Sequence, residues 1–171
     1  MTIEKSDFSN WRMSDSNFAP DVDNISNAIR YIEVELGVEL PKEYQVFLSL
    51  INDKPIVPND GKEYCPARYG HSVRRVHVAV LSSSRKVIER TTLSRESIYD
   101  ERYLLAEGLI VIGSTYDGDS DACIVYDVRP ASPTYLHVFN WRYYVDNLVV
   151  GDGLGLLAHS LKEFLTTPCR C

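Results

Sequence analysis

Apolar residues recur at helical spacing near the start of the chain. Ile25, Ile29, Ile32 and Leu36 share one side of a helix predicted over residues 23–36, with Ala28 beside them. Asp23 or Asn24 is placed to cap its start, and Gly37 sits where a left-handed C-terminal residue is wanted. A second stripe, Tyr44, Phe47, Leu48 and Ile51, follows Pro41, whose missing N–H suits a first helical position. The link Gly37-Val38-Glu39-Leu40 is short enough to make the pair an αα-hairpin.

The period then changes. Val76, Val78 and Val80 alternate with Arg75, His77 and Ala79, which predicts a strand. Ser82, Ser83 and Ser84 offer caps for a short helix ending near Arg90 or Thr92, and residues 93–106 read as a polar connection. Leu109–Gly113 is an apolar run expected to be a buried strand. Tyr116–Asp121 signals a turn, Ala122–Val128 a second strand, Arg129–Thr134 another turn with two prolines, and Tyr135–Trp141 a third strand. These three strands predict an antiparallel meander. Val145–Val150 has room for a short extended piece, and Gly151-Asp152-Gly153 reads as a turn. Leu157, Leu161, Phe164 and Leu165 share the face of a closing helix, and Ser160 and Glu163 have capping-box spacing. Residues 1–20 show scattered aromatics (Phe8, Trp11, Phe18) and no period. The expected organisation is an irregular arm, residues 1–22, docked on one domain, residues 23–171. The fold class is α+β: a helical hairpin and a C-terminal helix packed on an antiparallel-rich sheet.

Composition narrows the class. At 171 residues, with 44% hydrophobic and 25% charged residues, the chain is long enough for one core without covalent staples. No apolar run spans a bilayer and residues 1–18 are polar, so a cytoplasmic protein is expected. Cys65, Cys123, Cys169 and Cys171 do not form a disulfide framework or a zinc spacing. The net charge of −6 is unevenly spread: residues 1–60 carry −6, residues 61–102 carry +4 and residues 103–171 carry −4. An acidic whole argues against general nucleic-acid binding and suits a basic partner.

Three segments, in this order, resemble the SUKH superfamily, named partly for a yeast Smi/Knr-type cell-wall regulator. LGVELPKEYQVFLSL (Leu36–Leu50) is similar to its leading motif: an amphipathic helix, a Leu-Pro step at Leu40-Pro41, then a helix bearing Tyr44 and Phe47. Where the family often continues Asn-Gly, this chain has Asn52-Asp53. Leu109–Val128 resembles the family's strand, Gly, Asp/Gly-rich turn and strand, through Ile112-Gly113, Asp117-Gly118-Asp119 and Ile124–Asp127. SLKEFL (Ser160–Leu165) is similar to its Ser-Phe-x-x-Phe-Leu close, with Leu161 in the place of the first Phe. The resemblance covers about residues 23–166. It implies protein binding: many bacterial members resemble immunity proteins that neutralise a cognate toxin, often a nuclease, in contact-dependent or polymorphic toxin systems. Other members look like regulatory or scaffold adaptors, which is the alternative function. The family implies no catalytic constellation, and its variable binding faces transfer no interface residue.

The remaining chemistry adds one candidate surface. Asp117, Asp119 and Asp121 fail as an EF-hand, because positions six and twelve are Ala122 and Val128. They fit a hairpin loop. With Tyr116, these carboxylates are the candidate contacts for Arg or Lys on a protein partner. His71, His77, His137 and His159 are too dispersed in sequence to show a metal spacing, so no metal or cofactor is expected. Gly151-Asp152-Gly153-Leu154-Gly155 lacks the third glycine of a dinucleotide loop, since Leu156 stands there, and reads as a flexible turn. No Gly-x-Ser-x-Gly elbow is present, and an enzyme is not expected. Arg68, Arg74, Arg75, Arg85, Lys86 and Arg90, with Tyr64 and Tyr69 among them, read as a solvated face. Neither nucleic acid nor membrane is the expected partner.

Overall fold

The first predicted stripe forms α1, Ile25–Leu36, with Ala28, Ile32 and Leu36 buried and Ile25 and Ile29 packed at its margin. A computed structural model describes residues 2–13, 25–96, 103–118, 120–142 and 145–167. Asp23, Asn24, Phe18, Asp119, Cys169 and Cys171 lie outside the described residues. Gly37 ends α1 at φ +65°, and the Glu33 carboxylate accepts the Leu40 N–H at 2.8 Å. The second helix, α2, is Lys42–Ile51, with Tyr44, Phe47, Leu48 and Ile51 buried. Pro41 stands one place earlier than expected. Its ψ of 149° is extended, so it precedes the helix, and its carbonyl accepts the N–H groups of Tyr44 and Gln45.

Eight strands follow or precede these helices: β1 (Trp11–Met13), β2 (Ile56–Pro58), β3 (Tyr64–Arg68), β4 (Val73–Leu81), β5 (Leu109–Asp117), β6 (Ser120–Asp127), β7 (Val138–Trp141) and β8 (Gly155–Ala158). All neighbours are antiparallel. Because β4 pairs with both β3 and β5, the strands β4, β3, β8, β7, β6 and β5 close into a barrel, and β2 and β1 extend from β4. Closure leaves those six strands without a long free edge. Helix α3 (Ser84–Arg95) lies against β5 and α1, and α4 (Leu161–Thr166) against β8 and the N-terminal turn.

The strands bury both faces. Ile110, Ile112, Ile124, Tyr126 and Val138 join the helices in the larger core, while Leu109, Val111, Cys123, Val125, Phe139 and Trp141 form a second cluster on the far face. Period-two alternation makes this partition, and two bulges adjust it. In β4 the register shifts between Val78 and Val80, so Val76, Val78 and Leu81 are buried while Val80 is turned outward. In β5 it shifts between Val111 and Gly113. A Cβ at Gly113 would lie 2.3 Å from the Val80 carbonyl oxygen, so the close approach of β4 and β5 admits only glycine there.

Several boundaries differ from the sequence expectation. Part of the presumed irregular arm is ordered: residues Lys5–Phe8 form a 3-10 turn, β1 joins the sheet, and Ile3 and Trp11 enter the core. The Trp11 indole donates to the Leu165 carbonyl at 2.8 Å, and Lys162 reaches Asp7 at 2.8 Å. Helix α3 runs on to Arg95, into the stretch read as connection. The meander is present; its first two strands are longer and their turn tighter than predicted, because Asp117 pairs with Ser120, while the third, expected from Tyr135, begins only at Val138. Residues Gly155–Ala158, read as turn and helix, are strand β8. Leu157 therefore lies in the sheet, and the helix begins at Leu161 with the Ser160 hydroxyl accepting the Glu163 N–H at 3.1 Å.

Candidate functional site

The strand registers create a row that no single segment contains. Tyr64 lies opposite His77, His77 opposite Tyr116, and Tyr116 opposite Asp121. Asp121 alternates with Cys123 and Val125, so the row belongs to the far face, beyond the edge of its apolar cluster. The Tyr64 and His77 rings meet edge-on at 5.2 Å, and the His77 and Tyr116 rings at 5.9 Å. The Arg75 guanidinium stacks 3.9 Å above the Tyr64 ring. Tyr116 is 47% exposed and Asp121 is exposed, so the row ends in solvent.

At that end, α3 runs beside the strands and leaves a cleft of about 560 Å³. Tyr116, Asp121 and Ala122 line its sheet wall, Val80 its floor, and Arg85, Lys86 and Arg90 its helix wall. The β4 bulge supplies Val80 by turning it away from the core. The N-terminus of α3 is fixed from outside the cleft: the Asp53 carboxylate accepts the Ser84 N–H at 2.7 Å and the Ser84 hydroxyl at 2.6 Å. Asn52 and Asp53 both take left-handed backbone, at φ 52° each. In this chain the residue after Asn52 thus serves a second purpose, holding α3 in place.

The four candidate contacts separate. Tyr116 and Asp121 stand side by side at the cleft. Asp117, expected to be an exposed carboxylate, instead lies on the other face of β5, largely covered and ion-paired with Arg74 at 3.0 Å. Period-two alternation sends it there, two residues on from buried Thr115. Asp119 lies outside the described residues. The basic stretch does not form one face. Arg74 is spent on Asp117 and on the Tyr69 ring at 4.5 Å, Arg75 covers Tyr64, and only the α3 cations border the cleft.

Other candidate groups lie apart. His137 and His159, distant in sequence, come into edge contact at 5.1 Å through the β7–β8 ladder, and His159 Nδ1 is 3.3 Å from Glu163. Among the described residues, no three His, Cys, Asp or Glu side chains are grouped to hold a metal ion. Burial pushes the Cys123 thiol up, against the pull of Arg90, which leaves it a poor nucleophile. No described helix is long and apolar enough to cross a membrane.

Sequence reasoning missed Tyr64, His77 and Arg75 as members of one surface. The segment Tyr64–Arg68 alternates in burial as a strand should, but Pro66 argues against a strand. Here it is tolerated. The Glu63 carbonyl accepts the Val78 N–H, so residues 65 and 67 bond β4, and Pro66 faces β8, which meets β3 only at Arg68 and Leu156.

The helices and the closed antiparallel barrel define an α+β protein. Residues 26–167 match the SMI1/KNR4 family (SUKH-1), and the chain belongs to that family. Comparison with curated proteins and with solved structures finds no match.

Proposed function

We propose that this protein is a cytoplasmic immunity protein of a bacterial toxin system, which binds a cognate toxin or effector domain one-to-one and blocks it. It acts by stoichiometric binding and not by turnover. The observation that carries this reading is the far-face row of Tyr64, His77, Tyr116 and Asp121, which reaches solvent at Tyr116 and Asp121, in a chain of the SUKH-1 family. Tyrosine and arginine are the side chains that anchor protein interfaces, because they bury large area while keeping a polar contact. Tyr116 and Asp121, with Asp119 beside them in sequence, are the proposed contacts. Asp117 is set aside because Arg74 already holds it. The acidic remainder of the surface speeds encounter with a basic toxin.

The test is to search the genes flanking this one for a toxin domain, co-express the two, and follow with calorimetry on the purified pair. Growth rescue and a one-to-one complex support the reading. Tyr116→Ala should weaken that complex by about 30-fold, as expected of an interface anchor. Asp121→Lys should chiefly slow association. Failure to bind or rescue, with recovery of envelope or housekeeping proteins from native cells, would instead favour a regulatory adaptor.

A further inference from the structure

Two polar side chains of β5 point inward on either side of Tyr116. Thr115 is buried, and its hydroxyl donates to the Asn140 Oδ1 of β7. Asn140 is itself fully buried, and its Nδ2 donates to the Tyr69 hydroxyl at 3.2 Å. Asp117 is ion-paired with Arg74 of β4 at 3.0 Å, and the Arg74 guanidinium lies 4.5 Å from the centre of the Tyr69 ring. Both ties from β5 therefore end on one tyrosine, just past β3, whose ring packs closely on Gly155 of β8. Burying Thr115 and Asn140 costs free energy that apolar side chains would not. Here both find partners, and a satisfied buried network rigidifies the strands it joins.

We propose that Arg74 and Asn140 are positioning residues for the Tyr116 contact. The circuit Asp117–Arg74–Tyr69–Asn140–Thr115 clamps β5 from inside and holds Tyr116 outward. Strand alternation supplies the link: with residues 115 and 117 fixed inward, the side chain between them is directed to the other face. The clamp acts where outer packing is thin. Tyr116 meets the His77 ring at 5.9 Å and is 47% exposed, and the strand ends one residue later at the turn. Strand ends are the first places to open. Apolar inner residues would fill the same space without fixing a direction, because apolar burial is non-directional. An anchor already held in its bound direction loses less freedom on association, which strengthens the complex. The inference rests on the immunity reading only for what Tyr116 meets.

The first arm of the test uses the full chain alone. Nitrogen relaxation should give the Tyr116 and Asp121 amides order parameters near the rigid value of about 0.85. Arg74→Met keeps a stem over Tyr69 and removes the charge tie. It should lower both values towards the flexible range below about 0.6 and weaken the Overhauser contact between the Tyr116 and His77 rings. Helices α2 and α4 should keep their wild-type values. Tyr69→Phe removes the acceptor of Asn140 without opening a cavity, and should loosen the same two amides. Arg74→Lys, which keeps a cation beside Asp117, should restore most of the order. Unchanged order in both the Met and Phe variants, or a loss spread evenly over the molecule, would overturn the proposal. The second arm is calorimetry with the toxin domain found beside the gene. Arg74→Met should weaken that complex by about 5-fold, the order of one side chain's lost freedom, and should add nothing in the Tyr116→Ala background. Equal weakening in both backgrounds would also overturn it. If no complex forms, the immunity reading fails and the order parameters still decide the clamp.

Discussion

Asp127 shows how a single buried charge is made tolerable. It is fully buried at the end of β6 and accepts bonds from the Arg129 backbone and guanidinium and from the hydroxyls of Ser132 and Thr134, at 2.6 to 3.0 Å. Burial alone would raise its pKa, but these donors hold the carboxyl below the usual range. Its stabilisation is therefore present above about pH 4 and is lost as pH falls through its lower folded value. Asp127→Ala strands four donor groups around one turn and should cost about 2–4 kcal/mol in urea unfolding. His137 also loses stability in acid, but for the opposite reason: its surroundings disfavour the charged form. Burial first, and His159 second, lower its pKa, against Asp127 and Glu163. The unfolded chain then binds the proton more readily, so stability should decline as pH drops below about 6.5. His137→Gln should flatten that slope, measured as urea midpoints between pH 7 and pH 5.

Among the elements, Glu43 on α2 has the widest reach. Its carboxylate accepts the Tyr126 hydroxyl of β6 at 2.6 Å and the Leu161 and Lys162 amides that open α4, at 3.0 and 3.1 Å. One side chain thus joins α2, the barrel and the last helix. Glu43→Ala should cost about 2–4 kcal/mol, because it strips a helix start and a buried phenol at once. Glu43→Gln, which keeps an acceptor oxygen, should cost less. Elements whose burial follows one period were legible in the sequence: α1, α2, the meander and the Ser160 cap. Elements held by distant partners were not. Strand β8 reads as turn because of its glycines, yet a Cβ at Gly155 would lie 2.4 Å from the Tyr69 ring. That glycine is there for a tyrosine remote in sequence. Strand β1 is three residues long and finds its order only against β2. The candidate site was half legible. Tyr116 and Asp121 were visible as a turn signal, but the face to which each side chain points needed the register that also turns Asp117 away.

At the scale of the molecule, the two ends of the described chain hold each other. Trp11 packs on Phe164 at 5.9 Å and bonds the Leu165 carbonyl, and Lys162 binds Asp7. Trp11→Ala should cost about 3–5 kcal/mol, the range for a buried tryptophan. The loss should appear as a lower thermal midpoint with near-native far-UV signal at 20 °C.

Barrel closure also has a consequence for synthesis. Strand β3 ends at Arg68, but the partner that completes its side of the ring, β8, begins at Gly155. At about 5–20 residues per second, a ribosome takes roughly 4–17 s to make the 86 residues between them, 69–154. Throughout that interval the sheet lacks the strand that joins β3 to β7 and completes the ring. The ring of strands therefore closes only after β8 has left the exit tunnel.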